Sequence, residues 1–257
     1  TMPTTTRPLR LTTAEWQVIC TAMGLVLRPP GPHAGATAAA RTAARDSLSR
    51  RNVTTDGGAR IARPVAALMF SLAHPVVSAW AHPHGNPVPS AVLAFNRLVS
   101  AIAWQDGNDI LVAPTSRASA ARDLAAVLLP GAGPTTRTHD TAFGVAGGLW
   151  HEMLTQAPVA SERALSSLAA SEGVAADRVP DLVAIARGAA SRVDVRVARP
   201  SSSRTWAGHE TSLIPSVDRV WSVSDGRAFD PESSRRTKRA TFVQVDPAAE
   251  IGRLLFP

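Results

Sequence analysis

A chain of 257 residues with 45% hydrophobic and 18% charged content can build a core and is too apolar to be wholly disordered. Its formal charge is +7, yet 26 of its 27 basic residues are Arg and only Lys238 is Lys, so the basicity records composition as much as a polyanionic partner. The single cysteine, Cys20, excludes an intramolecular disulfide and a four-Cys zinc site.

The first seven residues lack the apolar stretch of a signal peptide. The longest apolar run, Val65 to Phe70, falls far short of the roughly 20 residues that span a membrane. A soluble, cytoplasmic chain with no membrane partner is expected. Leu11-Thr12-Thr13-Ala14-Glu15 carries a capping box, with Thr12 as the cap and Glu15 three residues on. Trp16, Ile19, Cys20 and Met23 then recur at helical spacing, which predicts a helix over 13–23. Leu25-Val26-Leu27 reads as a strand, 29–36 as a Pro/Gly/His loop, and 37–50 as an Ala/Arg-rich helix. Pro64 stands at a helix start, with Val65, Leu68, Met69 and Leu72 as the buried stripe. A strand over 76–81, a loop over 82–90, and a hairpin of 98–104 and 110–112 about Asp106-Gly107 follow. A helix over 119–129 ends at Pro130-Gly131.

The second half repeats this order. Pro180 answers Pro64 at an offset of 116, and the strand-ending Pro200 answers Pro83 at 117. The turn Asp225-Gly226 answers Asp106-Gly107 at 119, and Leu255-Phe256-Pro257 answers Leu128-Leu129-Pro130. Such offsets predict a duplicated helix–strand–hairpin–helix unit. The pseudo-repeats cover about 11–130 and 138–257 of a single domain over 1–257. Their strands would join in one sheet with helices around it, an α/β arrangement of the α+β kind with a pseudo-twofold.

Catalytic signatures are thin, and no enzyme, cofactor or metal is expected. His151-Glu152 begins like a zinc-protease motif, but Thr155 stands where the second His belongs. Gly131 to Arg137 has the glycines of a phosphate loop without its Gly-Lys-Ser/Thr ending, and it follows a helix instead of a strand. Arg235-Arg236-Thr237-Lys238-Arg239 is the one dense basic run; it reads as a hairpin tip, either solvated or touching an acidic partner. Trp104 and Trp221 hold equivalent places in the two repeats. Core packing and exposure on a protein-docking face are the two readings of that pair.

Leu11-Thr12-Thr13-Ala14-Glu15-Trp16, Val99 to Asn108, and the stretches Val195–Val197, Asp225–Asp230 and Ile251–Leu255 together resemble the EspG family. That family comprises cytosolic, substrate-specific chaperones of the actinobacterial type VII (ESX) secretion system. The resemblance covers nearly the whole chain in order and spacing, through short motifs without an invariant chemical group. It implies a central, bent antiparallel sheet with two helical groups, and a non-enzymatic role. Such a chaperone holds the helical tip of a PE–PPE-like dimer, keeps it soluble and passes it on for export; other helical-hairpin ESX substrates, or a homodimer, are further partners to consider. By matching position, the contact surface includes Trp104, Asp106, Asn108 and Ile110 in the hairpin and Val183 and Arg187 in the helix 177–188. It also includes Trp221, Arg227 and Phe229 about the later strand, with Arg235 and Arg236 of the basic run setting partner preference. The absence of Tyr removes the tyrosine-based type VII export signal, so the chain is expected to act as helper and not as cargo. The alternative is a basic nucleic-acid-binding or regulatory protein, motivated by charge alone.

Overall fold

The structure, a computed structural model, describes residues 7–56, 60–83, 86, 88–97, 99–130, 142–200, 206–216, 219–223 and 239–257. In chain order, β1 (Leu9–Leu11) leads into α1 (Thr13–Met23), α2 (Ala38–Arg50), a small hairpin of β2 (Thr54–Thr55) and β3 (Arg60–Ile61), and α3 (Arg63–Ala73). Four strands follow, β4 (Val77–Pro83), β5 (Ala91–Phe95), β6 (Ser100–Asp106) and β7 (Asp109–Thr115), and then α4 (Ala120–Leu128). The second half runs β8 (Phe143–Ala146), α5 (Gly147–Gln156), α6 (Glu162–Ser171) and α7 (Val179–Gly188), with a 3-10 turn at Ala189–Ser191. It ends with β9 (Val193–Pro200), β10 (Trp206–Pro215), β11 (Val220–Val223), β12 (Arg239–Val245) and α8 (Pro247–Leu255).

Ten strands form one antiparallel sheet in the order β1-β7-β6-β5-β4-β9-β10-β11-β12-β8, with flanking helices. The fold is α+β, as the sequence predicts. The order reads alike from either edge: β1 pairs with β7, Leu9 opposite Val112, and β8 pairs with β12, Phe143 opposite Phe242. Each half therefore lays its first strand against the last strand of its own four-strand series. Pro64 and Pro180 both stand in the first turn of their helices, α3 and α7, where the missing N–H costs nothing. Pro83 and Pro200 are the last residues of β4 and β9.

The chain is organised as two compact units, Thr1–His82 with Asn86–Val127 and Val197–Gly208, and Pro83–Gly85 with Leu128–Arg196 and His209–Pro257. In the first unit Leu11, Trp16, Ile19, Leu48, Met69, Ile110 and Val112 share one buried cluster. Its entry is fixed by the capping box: the Thr12 N–H donates to Glu15 Oε2 at 2.8 Å and the Glu15 N–H donates to Thr12 Oγ1 at 3.2 Å. Gly24, at φ +65, ends α1 in the left-handed conformation that stops a helix without a Cβ clash. In the second unit Trp150, Met153, Leu165, Leu182, Ile185, Trp221 and Phe242 form the cluster. Trp150 meets Phe242 edge-on at 4.8 Å between ring centroids. Burial of each such side chain contributes about 1.5–3 kcal/mol.

Two sequence readings are corrected here. The segment 25–27 forms no strand, because the Leu27 carbonyl is taken by side chains: Trp16 Nε1 donates to it at 3.0 Å and Cys20 Sγ lies 3.9 Å away. The loop 82–90 gives way to a further strand, β5, which the reading passed over. Ala91, Leu93, Ala94 and Phe95 are all buried, so no polar alternation marked it. The basic run lies outside the described residues except for Arg239, which opens β12.

Candidate partner-binding surface

In the first unit the hairpin of β6 and β7 closes on the pair Asp106 and Asp109, leaving a two-residue loop of Gly107 and Asn108. Gly107 takes φ +61, which a tight hairpin requires and which L side chains rarely adopt. Trp104 pairs with Ala91 on one side and Leu111 on the other, and Leu111 in turn pairs with Arg10 of β1. Paired residues of an antiparallel sheet share a face, so Trp104, Leu111 and Arg10 form one row. Trp104 and Leu111 are half-buried there, and Asp106 and Asn108 are exposed at the tip.

Arg10 braces that tip. Its Nη2 donates to Asp106 Oδ2 and its Nη1 to Asp109 Oδ2, each at 2.7 Å. Donating these hydrogen bonds, first to Asp109 and then to Asp106, raises the Arg10 pKa above its ordinary value. The charge of Asp106 is therefore already met within the chain. Exposed Asn108 and the half-buried Trp104 and Leu111 are the candidate contact groups of this hairpin. Ile110 belongs to the opposite row, facing Leu11 and Gln105, and is fully buried in the core of the unit. Its place on a contact surface is corrected to a core position.

In the second unit α7 turns Leu182, Val183, Ile185 and Ala186 inward. Val183, 3% exposed, is part of that stripe and offers a partner no surface. Arg187 is exposed on the other side, and its Nη2 donates to the Ala160 carbonyl at 2.6 Å, tying α7 to the turn between α5 and α6. At the start of α7, Asp181 Oδ1 accepts from Arg219 Nη1 at 3.2 Å and lies near Arg178. A carboxylate there also meets the positive end of the helix dipole. Trp221 is 1% exposed and meets Phe143 edge-on at 5.7 Å, so core packing is the reading that holds for it. The reason is position: every residue of β11 is buried, whereas β6 is uncovered toward its hairpin end. Arg227, Phe229, Arg235 and Arg236 lie outside the described residues.

Of the sequence-predicted contacts, the structure gathers Trp104, Asp106 and Asn108 on one hairpin and leaves Arg187 exposed on α7. Sequence reasoning missed Arg10 and Leu111. The alternation Leu9-Arg10-Leu11, a polar residue between two apolar ones, was the available signal for Arg10. In α5, Thr155 Oγ1 donates to the His151 carbonyl at 2.9 Å, closing on its own helix. Among the described residues no three His, Cys, Asp or Glu side chains gather as a metal set. None of the described helices is long and apolar enough to cross a membrane.

No family model matches the sequence, and no curated protein matches it. Among solved structures, the chain is similar to the Mycobacterium tuberculosis type VII secretion system chaperone EspG5, determined in complex with the PE25–PPE41 dimer. The TM-score is 0.60, at 14% sequence identity, and the match covers 96% of this chain and 95% of that one. The likeness is one of fold, and it runs the length of both chains, in line with the resemblance seen in the sequence.

Proposed function

We propose that the chain is a chaperone of a type VII secretion system, which binds the helical tip of PE–PPE-like dimers, keeps them soluble and hands them on for export. The observation that carries this reading is the end-to-end match in fold to a chaperone solved with such a dimer bound. The hairpin supplies a physical reason for a helical ligand. A half-buried Trp104 beside Leu111 offers an apolar seat, and Asn108 at the tip offers hydrogen bonds to the unsatisfied backbone groups of a helix end. Exposed apolar helix ends aggregate, and covering them is a non-enzymatic task carried out in the cytoplasm. Arg187, Arg227, Phe229, Arg235 and Arg236 remain proposed contacts of the same surface, with Asp106 as a brace more than a contact.

Co-expression with helical-hairpin pairs encoded beside the gene tests this reading. A pair that co-purifies with the chain, and is soluble only in its presence, is the expected result. If every neighbouring pair is equally soluble without the chain and none co-purifies, the reading is wrong. Mixed-sequence DNA serves as the control partner: binding that falls steeply with log salt would favour a nucleic-acid role instead.

A further inference from the structure

A second site stands in the first unit, apart from the hairpin. A cleft of about 600 Å³ opens to solvent between α1 and α2, within the volume range of ligand-binding clefts. Trp16 and Cys20 close its bottom as buried core residues, half-buried Leu27 and exposed Ala22 and Thr21 give it accessible surface, and Arg41 and Arg45 of α2 line its other side. The floor is already satisfied, because the Leu27 carbonyl accepts from the Trp16 indole. Arg41 and Arg45 are one turn apart on one helix face, and both line the cleft. Arg41 donates to the Ala36 carbonyl, whereas Arg45 forms no ion pair with any described residue. No acidic side chain lines the cleft, and Asp46, adjacent in sequence, points along another face of α2.

We infer that this cleft docks an acidic amphipathic helix of a partner protein. The geometry argues for a helix. Two guanidinium groups one turn apart, about 6 Å along the axis, match two carboxylates at the same i,i+4 spacing, while the adjacent apolar stripe of such a helix falls on Leu27 and Ala22. Arg forks bind carboxylates in bidentate fashion, which sets orientation as well as attraction. The inference is independent of the chaperone reading, since it uses neither the hairpin nor the likeness in fold.

The test is fluorescence anisotropy of a labelled, acetylated sixteen-residue peptide titrated with the full chain. The peptide carries Glu at i,i+4 on one stripe and Leu on the next; a second peptide has Lys for Glu, and decanoate represents a small carboxylate. The Glu peptide is expected to bind, to weaken as salt rises, and to lose at least about tenfold in affinity with Arg45→Glu or Arg45→Gln. Arg50→Glu, on the same helix but away from the cleft, is expected to leave binding unchanged. Circular dichroism establishes that each variant is folded. Equal binding of the Lys peptide, equal loss with Arg50→Glu, no binding at all, or binding of decanoate without the peptide would each overturn the inference.

Discussion

The Glu15 carboxylate accepts a hydrogen bond from Arg51 Nη1 at 2.9 Å, across 36 positions of sequence. Glu15 is 3% exposed, and its second oxygen completes the capping box of α1 while Ser47 donates to the first at 2.7 Å. One buried carboxylate therefore joins the start of α1 to the end of α2. Arg51 Nη2 extends the link to the Arg10 carbonyl on β1 at 2.5 Å. Glu15→Gln keeps the shape and removes the charge; a loss of about 2–3 kcal/mol is expected, from charge-assisted hydrogen bonds and the weakened cap. Urea unfolding measures it. A matching loss in Arg51→Met, with the double variant no worse than either single one, would show that the two residues act as a pair.

Trp104 and Trp221 separate binding from folding. Trp104→Ala removes a half-buried ring from the hairpin row and is expected to cost about 1 kcal/mol of stability while abolishing co-purification of a helical partner. Trp221→Ala empties a site 1% exposed and is expected to cost about 3–5 kcal/mol. Thermal melts and pull-downs on both variants read the split. A Trp104→Ala protein that melts like wild type and still captures the partner would remove the hairpin from the proposed surface.

Gly188 ends α7 against β10. A Cβ built on it would collide with the Pro215 carbonyl oxygen, a backbone atom that cannot rotate away. Gly188→Ala is expected to destabilise by about 1–3 kcal/mol, through the shift forced on that contact. Gly148 in α5 has no atom within 4 Å of its own would-be Cβ. Gly148→Ala is expected to stabilise by up to about 1 kcal/mol, because Ala loses less backbone entropy in a helix. Opposite signs in denaturant midpoints check the contact; a neutral Gly188→Ala would mean the two segments separate freely.

The sequence made legible what local chemistry dictates. Thr12 and Glu15 announced the cap of α1, and Pro64 and Pro180 announced the starts of α3 and α7, because each motif satisfies orphan backbone groups within a single turn. Residues 91–95 stayed silent because a strand whose side chains are nearly all buried carries no alternating pattern. The candidate site was legible only to the level of its elements. Trp104 and Trp221 look alike in sequence, each preceding an Asp-Gly pair, and only the covering of β11 distinguishes them. Ile110 and Val183 were placed on the surface by position alone, while the row and helix face on which each sits are set by pairing and packing. Arg10 acts through two aspartates nearly one hundred positions away, a contact no local pattern encodes.

Cys20 gives the stability an alkaline limit. The thiol is 6% exposed among the apolar residues of α1, and burial pushes its pKa up to about 11 from an ordinary 9.0. Below pH 9 the thiol is protonated whether the chain is folded or not, and it contributes no pH dependence. Between pH 9 and 11 the unfolded chain releases the proton and the folded chain retains it, so the unfolded state binds fewer protons and stability falls as pH rises. The loss is expected to reach about 2–3 kcal/mol by pH 11 and to level off above it, at 1.36 kcal/mol for each pH unit. The chain has no Tyr and only Lys238 as a lysine, so little else titrates in this window. Urea midpoints at pH 8, 9, 10 and 11 should fall for the wild type and stay level for Cys20→Ala, with Lys238→Arg present in both to silence the lysine. An equal decline in the two proteins would place the alkaline sensitivity elsewhere than at Cys20.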